Sequence, residues 1–278
     1  MDIYFILVIA LLILAVGDLV VGVSNDAVNF LTSAIGSRVA SQRTILIIAA
    51  AGVFAGAAFS SGMMEVARKG IFNPSFFSYA DVMVVFMAVM ITDIILLDAF
   101  NSFGMPTSTT VSIVFELLGA SVMVGWLMLR DGQHADMNLL DVINTSKASQ
   151  IIAGIFLSIG VAFSVGALSQ WVSRLWFTFN IRRGVNKYGA LFAGICMTII
   201  IYFLLIKGIK GANFGKDVNA FFKEQAMMIV AASFIGSTLI LWLLQKTLSV
   251  NPLKVVVLTG TFSLAMAFAG NDLVNFIG

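Results

Sequence analysis

The chain has 278 residues, 60% of them hydrophobic and 11% charged, with a mean hydropathy of +1.02. Soluble domains carry about 25% charged residues, so this composition excludes a soluble enzyme, a secreted disulfide scaffold and a disordered segment, and requires a polytopic membrane protein. Sixteen Lys and Arg against fourteen Asp and Glu leave a net charge of +2, without the basic footprint of a nucleic-acid-binding protein.

In chain order, apolar runs predict an all-α protein with about eight transmembrane helices, at 3–22, 44–64, 82–102, 106–129, 150–176, 188–207, 226–246 and 254–270. Helices are expected because backbone groups in hydrocarbon must be satisfied within their own segment. Asp2 and the lack of a basic stretch before the first run indicate a retained helix, not a cleaved signal. Gly52 and Gly56 form a G-x-x-x-G pattern, which predicts close packing within the chain in preference to dimerisation. Trp126, Trp171, Trp176 and Trp242 fall near span ends, where interfacial anchors belong. The longest connections are Arg130–Ser149, which is acidic, and Lys207–Gln225, whose lysines suit a membrane surface. Asn144-Thr-Ser146 matches a glycosylation sequon but is expected to be a plain loop. Lys and Arg divide evenly between the two sides, so loop charge sets no orientation. One cysteine, Cys196, and one histidine, His134, cannot build a zinc or iron–sulfur centre, and the chain has no P-loop motif.

A short motif occurs twice. Asn25, Asp26, Val28, Asn29 and Phe30 return as Asn271, Asp272, Val274, Asn275 and Phe276, each time at the end of an apolar run. Polar side chains at membrane depth are expensive unless satisfied, so their recurrence together marks a site in preference to two simple helix caps. Seven spans separate the starts of the first and eighth runs, so the two copies are expected to run in opposite directions. That is the inverted-repeat arrangement of many secondary transporters.

Asn25 and Asn29 are four residues apart and should share a helical face, with Asp26 beside them. Gly17, Gly22 and Val21-Gly-Val-Ser24 predict an interrupted helix that restarts near Asn25 and offers free N–H groups to an anion. A second polar cluster runs from Gly104 to Val111. Pro106 is expected in the first turn of a new helix, with Thr107, Ser108, Thr109 and Thr110 placing hydroxyls around it. Neutral donors and free N–H groups suit an oxyanion such as phosphate or sulfate. Asp26 and Asp272 would repel that anion unless a cation or proton neutralises them, so the site composition suggests cation-coupled symport. Asp18, Asp93, Asp98 and Glu116 also lie in or near apolar runs. Asp93 and Asp98 are candidates for the path of the coupling ion.

The G-x-N-D-x-x-N element, present twice, with G-[LM]-P-x-S-T-T after the third run, resembles the inorganic phosphate transporter (PiT) family. Two departures stand out: Val-Ser replaces the usual Gly-Ala before Asn25, and Val111 stands where the family usually has His. The resemblance implies inverted halves and carriage of phosphate with Na+ or H+, or of a metal–phosphate complex. It implies phosphate binding by Asn25, Asn29, Ser108, Thr109, Thr110, Asn271 and Asn275, with Asp26 and Asp272 holding the coupling ion. The expected organisation is a first transmembrane repeat at 1–180, connecting helices and the Lys-rich loop at 181–250, and the start of an inverted second repeat at 251–278. The chain would then hold about half of a transport site and would not carry phosphate unaided. No catalytic role and no cofactor are expected. The expected partners are phosphate, Na+ or H+, and the lipid of the plasma (cell inner) membrane, with a homodimer possible. Carriage of another oxyanion such as sulfate, or a non-transporting phosphate sensor, is the alternative. An intramembrane aspartyl protease is disfavoured by the absence of its usual G-x-G-D.

Overall fold

The computed structural model describes residues 3–58, 73–130, 139–177, 181–211, 221–222 and 224–270. In chain order these residues form α1 (Ile3–Gly36), α2 (Gln42–Ala58), a 3-10 turn (Pro74–Phe76), α3 (Tyr79–Phe103), α4 (Thr109–Arg130) and the short α5 (Leu139–Val142). There follow α6 (Thr145–Trp176), α7 (Ile181–Gly211), α8 (Ala226–Thr247) and α9 (Pro252–Phe268).

Six helices have the length and apolarity to cross a bilayer: α1, α3, α4, α6, α8 and the Ile181–Leu205 part of α7. The chain is thus an integral, multi-pass membrane protein. The remaining two expected spans correspond to α2 and α9, each of 17 residues.

Local sequence sets the helix ends. Ser78 and Asp81 form a capping box at the start of α3. Asn251 caps α9, accepting the Leu253 N–H at 3.0 Å, with Pro252 just behind it. Asn144 of the sequon is itself a cap, and its side chain accepts the Lys147 N–H at 3.1 Å. Two boundaries differ substantially from expectation. The first helix runs on to Gly36 instead of ending at 22, and α7 starts at Ile181 instead of 188.

The chain divides into two compact units. The first draws on Met1–Asn29 and Gly62–Ile159. Val85, Leu97 and Leu117 form its dry interior. Val142 of α5 is fully buried against α4 at Gly125, where an added Cβ would meet Val142 Cγ2 at 2.9 Å. Asn73 ties this corner down, donating its backbone N–H to Val142 O at 2.9 Å and its side-chain amide to Asp141 O at 2.7 Å.

The second unit draws on Phe30–Ser61 and Gly160–Gly270. Here Gly52 and Gly56 of α2 lie on the backbone of α9. A Cβ at either position would strike the carbonyl of Phe262 or Met266 and would crowd the Cβ of Ala265 or Ala269. The G-x-x-x-G pattern therefore serves packing within the chain. A second close approach sets Gly194 of α7 against Thr238 of α8, beside Ala190, Ala193 and Leu241.

Helix α6 is apolar along its length and almost wholly exposed, with Phe163 at 78%, which suits a lipid-facing surface. Trp126 and Trp242 each stand one turn before a cation whose charge sits over the ring, Arg130 at 5.8 Å and Lys246 at 4.3 Å. Both pairs close the last turn of a spanning helix.

Candidate functional site in the first compact unit

The site is built around the turn from α3 to α4. Gly104 ends α3 with φ +68°, a left-handed conformation that costs a non-glycine residue about 1–2 kcal/mol. Its N–H donates to Asn101 O at 3.1 Å, and the Met105 N–H donates to Phe100 O at 2.9 Å. This double closure is a Schellman turn. It releases the chain into an extended stretch, Met105 to Ser108, which Pro106 keeps out of the helical region.

Ser108 then caps α4. Its Oγ accepts the Val111 N–H at 3.4 Å and its carbonyl accepts the Ser112 N–H at 3.0 Å. The expectation that Pro106 occupies the first turn of the new helix is therefore corrected: the helix begins at Thr109, three residues later. The serine cap satisfies an N–H of that turn, and the N–H of Thr107 is drawn to α1.

Helix α1 also departs from expectation. It is continuous from Ile3 to Gly36, so it does not break before Asn25 and offers no helix start there. Gly17 sits within the continuous helix, where an added Cβ would make only an ordinary contact with Ile94 Cδ1 at 3.4 Å. The polar residues of the motif are satisfied through side chains, and the backbone stays helical. The helix start near the motif belongs to α4, whose first N–H groups and positive dipole end lie at Thr109 and Thr110.

The two motifs meet. Asn25 is 2% exposed. Its Oδ1 accepts the Thr107 N–H at 2.9 Å, and its Nδ2 donates to Asn101 Oδ1 at 2.9 Å. Asn101 Nδ2 donates onward to Val21 O at 3.2 Å. The chain of bonds has one possible sense, because it begins at a backbone N–H and ends at a carbonyl. Next to it, the Thr109 hydroxyl donates to Asp26 Oδ2 at 3.5 Å, and both residues are buried.

Other expected residues are placed differently. Asn29, Ser108 and Asp98 are exposed, and Thr110 is half-buried. Asn29 lies one turn after Asn25 on the same face of continuous α1, but at a level where that face is exposed. Asp98 lines a groove of about 640 Å³ with Gly17 and Ile94. Asp93 is fully buried. Asn271, Asp272 and Asn275 lie outside the described residues. Asn101, which the sequence reading missed, is the hub between the motifs. Its signal was an asparagine in the last turn of an apolar run, three residues before Gly104.

The constellation sets the Thr109 hydroxyl, which donates to the Asp26 carboxylate, at the first turn of α4. Alongside runs a groove of about 590 Å³, lined by Thr92, Thr107, Val111, Ser112, Phe115 and Glu116 among others.

Comparison with known proteins identifies the family. The model of the phosphate transporter family matches residues 22–278. A protein of Pyrococcus furiosus named as a phosphate permease is 25% identical over 267 residues, covering 92% of this chain and 60% of its own length. A protein of the same designation from Pyrococcus abyssi is 24% identical, with 92% and 61% covered. The chain thus spans about 60% of the length of the curated relatives it matches. Among solved structures, the sodium-dependent phosphate transporter shares the fold, with a TM-score of 0.56, 16% identity, and 98% of this chain and 76% of that one covered. With a family model matching nearly its whole length and both motifs in one constellation, this chain belongs to the phosphate transporter family.

Proposed function

We propose that the full-length protein carries inorganic phosphate across the plasma membrane by symport with Na+ or H+, as a transporter with no catalytic role. The observation that carries the reading is the shared proton of Thr109. When a cation or proton occupies Asp26, the hydroxyl is released to the anion, together with the N–H groups that open α4. Binding of each species then favours the other, which is the thermodynamic core of symport. The second copy of the motif, at 270–276, would supply Asn271, Asp272 and Asn275 from an inverted repeat that begins near residue 251.

Uptake of labelled phosphate by the full-length protein in proteoliposomes tests this, with sodium replaced by choline at two pH values. Phosphate uptake that depends on one of the two cations supports the reading. Uptake that ignores both, or normal uptake by the Asp26→Asn, Thr109→Ala double variant, overturns it. Full competition by sulfate would move the substrate from phosphate to oxyanions in general.

A further inference from the structure

Three acids outside that site come together in the first compact unit: Asp18 on α1, Asp93 on α3 and Glu116 on α4. The three carboxyls are near neighbours, with Asp93 close to Asp18, to Glu116 and to Ser112. Ser112 Oγ donates to Glu116 Oε1 at 2.7 Å. Asp93 is 0% exposed and Asp18 is 2% exposed. Both oxygens of Asp93, Oδ1 of Asp18 and Oε2 of Glu116 are buried with no hydrogen-bond partner among the described residues.

On the three helices that carry them, no basic residue lies nearby. Helices α1 and α3 contain no Lys, Arg or His, and α4 contains only Arg130. Arg130 stands fourteen residues from Glu116, about 21 Å along the helix. Three bare carboxylates in an apolar bundle would carry a desolvation cost of several kcal/mol each. Two facing carboxyls can hydrogen-bond only when one of them carries a proton. Access exists as well. Glu116 and Ser112 line the 590 Å³ groove that also reaches Thr107, the residue bonded to Asn25.

We propose that Asp18, Asp93 and Glu116 form a proton-holding relay, with Glu116 as the member that exchanges with the groove. We assign to this relay the supply of the coupling proton, through the groove at Thr107, to the Asp26 site, an assignment that rests on the function proposed above. Facing the relay are Asp18 from α1, Asp93 from α3, and Glu116 and the Ser112 hydroxyl from α4.

The test uses the full-length protein in liposomes loaded with a pH-sensitive dye. A phosphate pulse in sodium-free buffer should acidify the lumen. Asp93→Asn and Glu116→Gln should lose that acidification while still binding labelled phosphate; Glu116→Gln keeps the acceptor for Ser112 and guards against misfolding. Phosphate uptake driven by sodium without proton entry overturns the relay and leaves phosphate transport intact. So do variants that acidify like the parent. If the parent takes up no phosphate at all, the transport reading fails and infrared spectroscopy decides the relay separately. A carboxylic-acid C=O band that titrates in the parent and disappears in Asp93→Asn supports it; the absence of such a band overturns it.

Discussion

Replacing Asn25 with alanine should loosen the junction of α1, α3 and the Met105–Ser108 stretch. The side chain makes two bonds of 2.9 Å, one from the Thr107 N–H and one to Asn101 Oδ1. Alanine orphans both partners, and each buried orphan costs about 1–3 kcal/mol. Thr107 lies on the open groove, where water can reach it, so its share falls at the low end. The expected loss is about 2–4 kcal/mol, or a fall of roughly 5–10 °C in Tm at the scale of larger domains. Asn25→Asp keeps the acceptor for Thr107 but sets oxygen against oxygen at Asn101. Asn101 cannot turn its amide to compensate without giving up Val21 O. Thermal unfolding of the detergent-solubilised protein, followed by tryptophan fluorescence, measures both variants. The decisive assay is the double-mutant cycle with Asn101→Ala. A coupling of about 1 kcal/mol is expected for partners in direct contact. Additive losses, or an Asn25→Ala protein as stable as its parent, would refute the network as the element holding this turn.

Three further substitutions probe other parts of the structure. Thr109→Val keeps the shape but removes the hydroxyl shared with Asp26, so phosphate uptake should drop sharply, whereas Thr109→Ser should retain it; equal uptake by both counts against the shared-proton argument. Gly104→Ala should lower stability by about 1–2 kcal/mol through its left-handed backbone, read as a drop in Tm, with no change expected at the neighbouring exposed Phe103. Gly56→Val forces a side chain into the carbonyl of Met266 and should cost about 1–3 kcal/mol or more, seen as lost folded yield, whereas Gly154→Ala on exposed α6, with open space beside it, should be neutral or mildly stabilising.

Much of the architecture was legible because lipid imposes one rule on every segment: a long apolar run must be helical. The meeting of Asn25 and Asp26 with Thr107 and Thr109 was legible too, since two polar clusters at membrane depth must satisfy each other or a ligand. The misreadings share a physical origin. Glycines at 17 and 22 suggest breaks in α1, yet a membrane helix also carries glycine within an unbroken run, and sequence alone does not separate the two cases. Pro106 was placed in the helix because proline suits a first turn. The competing serine cap at Ser108 prevailed, since it satisfies an N–H that proline cannot. The grouping of Asp18, Asp93 and Glu116 required the packing of three helices, a long-range fact that no spacing encodes.

The contact of α2 with α9 sets a mechanical limit on the second unit. With the α9 carbonyls of Phe262 and Met266 resting on the bare Cα atoms of Gly52 and Gly56, neither lipid tail nor water fits in the seam. Rolling either helix about its axis would drive Ala265 or Ala269 into the opposite backbone. Sliding by one residue would replace glycine with Val53 or Ala57 at the same point. The two helices are therefore geared together and transmit force as a single strut.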